Sequence, residues 1–270
     1  MIKSHLINEV GTAFSRNSPN AVARAAGFFW LMTIIAGVFG FVAGGRFIVA
    51  GNAAATATNI LSHESMYRLA FSANIVATAC YLAVTVFIYA LLKPVNGNIA
   101  LLQAFFSLAG CAIGLASSLL LLAPLEILKG ASNAAIFAPQ QLQAQALSFV
   151  NLSLRGNDVG LVFFGLHVLL IGYLIRHSTF LPRFLGVLLT ITCICYLTSS
   201  VANFFALPFR ASLLPFVAIG GIFGEGALTF WLLVKGVNVP CWKERAGVGV
   251  IAGRAASLQE GASTPDPQLA

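Results

Sequence analysis

Charge is what this sequence has least of. Only 9% of its 270 residues are Asp, Glu, Lys or Arg, against 59% hydrophobic, whereas soluble domains carry about a quarter charged residues. So little charge cannot clothe so large an apolar mass in water, which excludes a soluble globule and makes lipid the solvent. Histidine is also scarce. Of the four, only His167 falls inside an apolar run, whereas a bis-histidine haem or a catalytic zinc needs several ligands converging on one pocket. No cofactor or metal is therefore expected. The five cysteines, at 80, 111, 193, 195 and 241, give no disulfide framework, because four of them lie within apolar runs. The Walker, GxGxxG and GxSxG patterns are missing. With no convergent nucleophile, base and orienter, the expectation is a protein that is not an enzyme.

Long apolar runs are what is there. A hydrocarbon core of about 30 Å takes roughly 20 residues of helix. Six runs reach or approach that length without Lys, Arg, Asp or Glu: 25–45, 69–92, 99–123, 159–175, 184–206 and 213–234. Backbone groups in lipid must be satisfied within their own segment, and the alternation of barrel strands is lacking, so these runs predict helices. The fold class is all-α, a polytopic bundle of six transmembrane spans.

Positive charge sets the orientation. With the N-terminus inside, the cytoplasmic segments hold Lys3, Arg16, Arg24, Lys93, Arg176, Arg183, Lys235, Lys243, Arg245 and Arg254, and the outer side holds Arg46, Arg68, Lys129, Arg155 and Arg210. Ten against five places both termini in the cytoplasm. The chain then divides into a cytoplasmic segment 1–24, a transmembrane domain 25–238 and a tail 239–270 that is largely disordered. The net charge of +7 reads as topology and attraction to anionic lipid, not to nucleic acid. Membrane lipids are the expected partners, with a second copy or another membrane protein left open.

Two long outer connections each suggest an interfacial amphipathic helix. In AAATATNILSHESMYR, Ile60, Leu61 and Met66 share a stripe; in PQQLQAQALSFVNLSLR, Leu142, Ala146, Phe149 and Ser153 do. Gly40 and Gly44, Gly110 and Gly114, and Gly220 and Gly224 form GxxxG pairs, which read as close helix contacts.

Ionisable groups within lipid are costly and therefore informative. Glu126 reads as an interfacial cap or a partner of Lys129, and Asp158 as the N-terminal cap of the fourth span. His167 and Glu225 lie eight and nine residues from the inner ends of their spans, about 12–14 Å deep, near the midplane. If spans four and six touch, imidazole and carboxyl can meet. His167, Glu225 and Thr192 of the polar fifth span form the candidate midplane polar or proton-binding site, with static interhelical bonding as the other reading. The run of Thr, Ser and Cys in span five reads as packing, or as one wall of a wet space between spans four, five and six.

The strings ARAAGFFWLMTIIAGVFG, AAATATNILSHESMYRLAF, YALLKPVNGNIALLQAFF, GLVFFGLHVLLIGYLI and EGALTFWLLVKGVN, in this order over about Ala23 to Asn238, resemble the bacterial multi-pass family of unknown function DUF 4386. The resemblance implies a multi-pass protein of the bacterial inner (cytoplasmic) membrane and no particular activity. Members often carry an acid at the position of Asn74 and an Arg at that of Ser107; both are uncharged here, so a mechanism resting on such a pair does not carry over. The expected role is a non-enzymatic accessory or sensor module, the alternative a small permease or ligand-binding protein using the midplane His/Glu site.

Overall fold

The structure, a computed structural model, describes residues 18–130, 136–206 and 210–247. The segment before residue 18 and the tail beyond 247 lie outside the described residues.

Among the described residues, six helices are long and apolar enough to cross a membrane. α1 is Pro19–Gly45, starting on a proline whose missing N–H costs nothing at a helix start. A short α2, Ala53–Ser62, begins where the Asn52 side chain accepts from Ala55 N at 2.9 Å. α3 is Glu64–Leu92, and α4 is Gly97–Lys129, capped by Asn96 in the same way. α5 is Pro139–His177 and α6 is Arg183–Phe204. The sixth span is broken: α7, Leu214–Gly221, passes through one π turn, Ile222–Gly226, into α8, Ala227–Val234. Every run predicted from hydropathy falls on one of these elements.

The spans form a ring in chain order. α1 packs on α3, α3 on α4, α4 on α5, α5 on α6, α6 on the sixth span, and α8 closes back onto α1. The ring's two ends differ. Towards the face that carries the start of α1 and the end of α8, termed the terminal face, the centre is filled by a core that includes Trp30, Ile88, Leu91, Leu174, Leu185, Leu189, Leu228 and Leu232. That end is also stitched by hydrogen bonds. Gly236, at φ +67°, turns the chain out of α8; Val237 N then donates to Asn20 Oδ1 at 2.9 Å and Asn238 N to Phe180 O at 3.1 Å. Residues 239–247 are helical, and Trp242 Nε1 donates to Leu91 O at 2.9 Å. The opposite, distal face has, among the described residues, a small apolar cluster of Phe47, Ile60, Tyr67 and Leu125.

Two expectations about the distal face are corrected. The second amphipathic stretch is not a separate surface helix: α5 is one helix of 39 residues, about 58 Å at 1.5 Å per residue. Nothing between 139 and 177 breaks it, and its first turns are buried by Leu142, Ala146, Val150 and Ser153, with Ser153 Oγ donating to Ser117 O at 2.7 Å. In α2 the stripe is Thr56, Ala57 and Ile60. Leu61 and Met66 are exposed, and Met66 belongs to α3 because the helix ends at Ser62.

Candidate functional site: a carboxyl at the end of a cavity

Glu225 sits in the π turn of the sixth span, among Gly220, Gly221, Gly224 and Gly226. π turns insert a residue into the helical register and re-aim side chains, and they recur at functional sites. The small neighbours let α6 approach closely: a Cβ on Gly224 would overlap Thr192 Oγ1, and one on Gly220 would lie 3.1 Å from Cys195 Cβ. Glu225 is thereby turned into the ring, 9% exposed. Trp30 Nε1 of α1 donates to its Oε2 at 3.0 Å, and the Tyr196 hydroxyl of α6 bonds its Oε1 at 2.6 Å. The Tyr81 hydroxyl of α3 approaches the same carboxyl. Indole is a donor only, so Oε2 accepts whatever the protonation state.

Glu225 ends a cavity of about 350 Å³ in the distal half of the ring. From Tyr81, Phe164, Tyr196 and Glu225 it runs past Asn74, Gly114 and Ser118 to Asn157 in the middle of α5 and to Gly45 and Ile48 at and just beyond the end of α1. Glycine makes the space. Gly114 and Gly45 have nothing within 4 Å of where a Cβ would stand, whereas Gly40 and Gly110 serve contact, against Asn74 at 2.5 Å and the Phe164 ring at 3.1 Å. The GxxxG pair of span three therefore splits, Gly110 packing and Gly114 lining the cavity, whereas in span one both Gly40 and Gly44 line it. Among the described residues that line it, Glu225 is the one carboxyl, and no Lys, Arg or His joins it.

The three expected site residues are not brought together. Glu225 reaches the cavity. His167 is fully buried, its Nδ1 2.9 Å from Gln103 O on α4, and the Tyr81 ring, 5.6 Å away between centroids, stands on its Glu225 side. Direct pairing does not occur because the sixth span packs against α6 and α1 rather than α5. Thr192 Oγ1 donates to Gly220 O at 2.7 Å, tying α6 to α7. Thr190 and Ser200 of α6 likewise bond backbone, Gly186 O at 2.9 Å and Asp158 O at 3.0 Å, and the cavity lies mainly among α1, α3, α4 and α5, not between spans four, five and six.

Two other assignments are also revised. Asp158 lies inside α5 rather than at its start; its Oδ1 accepts from Asn203 Nδ2 at 3.0 Å, while Arg155 donates to Asn203 O at 2.9 Å. Glu126 is exposed, and Lys129 pairs instead with Glu64 at 2.6 Å, which also holds Arg68 at 2.8 Å.

Sequence reasoning missed Trp30, Tyr81 and Tyr196. A signal was available: membrane Trp and Tyr concentrate at the interfaces, yet Trp30 lies eleven residues into α1 and Tyr196 thirteen into α6. An aromatic donor that far from headgroups needs a polar partner in the bundle.

Comparison with known proteins adds a family and no activity. An uncharacterized protein of Archaeoglobus fulgidus is 28% identical over 153 residues, covering 57% of this chain and 75% of that protein. No solved structure matches. The model of the family described as Domain of unknown function (DUF4386) matches residues 25–236, four-fifths of the transmembrane chain in one continuous stretch, and this protein belongs to that family.

Proposed function

We propose that this protein binds a small solute in the membrane, with the cavity as its site and Glu225 at its end. It sits in the cytoplasmic membrane with both termini inside, so the cavity faces outward. The observation that carries the reading is the coincidence of a carboxyl inside the bundle with unfilled space. Helix bundles pack to a density of about 0.75 with few voids larger than a water, and a carboxyl that served only to bond helices together has no use for a cavity. About 350 Å³ lies at the small end of ligand pockets, roughly 300–1,000 Å³. The filled terminal half beneath it suits one state of a permease, open on one side and closed on the other. A sensor or accessory role draws support from a separate feature: the first half of α5 extends past the hydrocarbon and leaves Gln140, Gln141 and Gln145 exposed for a partner.

The test is accessibility. In a chain whose own five cysteines are replaced by alanine, Gly114→Cys should react with a membrane-impermeant charged thiol reagent added from the outside of cells and be shielded from it in inside-out vesicles. A Gly114→Cys thiol inert from both sides means a closed, dry bundle, and the accessory-module reading then prevails.

A further inference from the structure

The Ser and Thr hydroxyls that line the cavity have their hydrogens committed to backbone, and the amides of Asn74 and Asn157 are the side-chain N–H groups among the described lining residues. Thr33 Oγ1 donates to Phe29 O at 3.0 Å or Ala77 O at 3.2 Å, and Thr78 Oγ1 to Asn74 O at 2.9 Å. Ser118 Oγ donates to Gly114 O at 2.9 Å and Ser153 Oγ to Ser117 O at 2.7 Å. A hydroxyl has one hydrogen and two lone pairs, so each of these has committed its hydrogen to backbone and has only oxygen to offer a ligand. Glu225 adds acceptor capacity: a carboxylate has about four lone-pair sites, of which Trp30 and Tyr196 occupy two and the Tyr81 hydroxyl approaches a third. Beside it the Tyr81 and Phe164 rings pack edge to face, centroids 5.0 Å apart, and both line the cavity. Aromatic faces attract cations, the more so away from water. No Lys, Arg or His stands among the described lining residues to balance the carboxyl.

From this arrangement we propose that the cavity binds a small alkylammonium ion, its nitrogen donating to Glu225 and its carbons against Tyr81 and Phe164. The inference rests on the cavity being a ligand site, as proposed above, and specifies the ligand's chemistry. Anions meet a carboxylate with no Lys, Arg or His among the described lining residues to offset it. Neutral solutes fit the space but forgo the charge, whose attraction grows as the surrounding dielectric falls.

The experiment uses the full chain in lipid nanodiscs and three probes of similar shape: tert-butylammonium, tert-butanol and pivalate. Equilibrium titration should show the ammonium binding at least about tenfold tighter than the alcohol, a difference of about 1.4 kcal/mol, and pivalate weakest. Glu225→Gln, which can still bond Trp30 and Tyr196, should bring the ammonium and the alcohol to within about threefold of each other. Gly114→Leu, which fills the space and leaves Glu225 untouched, should abolish binding of both. It provides the control if the Gln variant does not fold. Alcohol and ammonium binding equally, both blocked by Gly114→Leu, overturns the cation assignment and leaves the cavity as a ligand site. Absence of binding by all three also overturns it, and thiol labelling alone then decides whether the cavity is open.

Discussion

Trp30 and Glu225, 195 positions apart in the chain, meet through one hydrogen bond of 3.0 Å. The bond joins the first span to the last and so helps close the ring of helices around the cavity. The same contact fixes the carboxyl's direction, because Tyr196 holds its other oxygen from α6. Structural closure and the shape of the site thus depend on one side chain.

Trp30→Phe keeps most of the buried ring and removes the donor. Interhelical bonds of this kind in membrane proteins average about 0.6 kcal/mol and reach about 1.7 kcal/mol, and Trp30→Phe should destabilise the protein by an amount in that range plus the lost packing. In a double-mutant cycle with Glu225→Gln, measured by thermal or denaturant unfolding in detergent, the two changes should be coupled. Strict additivity would show that the bond contributes nothing.

Glycine substitutions should separate contact from cavity. Gly224→Ala drives a methyl into Thr192 Oγ1 and within 3.1 Å of Leu188 O, whereas Gly114→Ala meets nothing within 4 Å. The first should cost about 1–3 kcal/mol, the usual range for overpacking, and sharply lower the yield of folded protein. The second should be silent or slightly stabilising. Equal tolerance at both positions, read by melting temperature, contradicts the close approach of α6 and the sixth span.

Gln103 is fully buried, and its side-chain Oε1 and Nε2 find no partner among the described residues. Burying such groups unpaired costs about 1–3 kcal/mol. Gln103→Met, of similar volume, should therefore raise the melting temperature. A lower one indicates that ordered water or a ligand pairs the amide in the folded protein.

Protons and the alkylammonium should compete, since both need the carboxylate of Glu225. Protonation removes the charge, so ammonium affinity should fall as pH is lowered, by at most about tenfold per pH unit once the free site is protonated. Binding of tert-butanol should stay nearly flat. Titrations across a pH series check this; a parallel fall for both probes points to a global change in the bundle instead.

Much of this was legible before any coordinates. The spans, their number and the shared face of the two chain ends follow from a property each stretch of residues has by itself: hydropathy is additive along a helix, and lipid forces each apolar run to satisfy its own backbone. Glu225 stood out for the same reason, as a carboxyl about 13 Å deep in a run otherwise without charge. The α5 error had a local cause too. An amphipathic stretch reads alike whether it lies on the interface or continues a span, and only the absence of a break and the burial of Val150 and Ser153 against neighbouring helices distinguish the two.

What the tertiary structure alone decided was which helix faces which. His167 and Glu225 share a depth, yet depth is a coordinate along the membrane normal and says nothing about azimuth. The order of spans around the ring put α1 and α6 beside Glu225 and gave the carboxyl Trp30 and Tyr196 instead of an imidazole. The cavity is likewise a property of no single helix. Gly110 and Gly114 occupy equivalent places in their motif, and the sequence cannot tell the glycine that admits a neighbour from the one that leaves a gap, because that depends on the side chains the partner helix brings to the opposite wall.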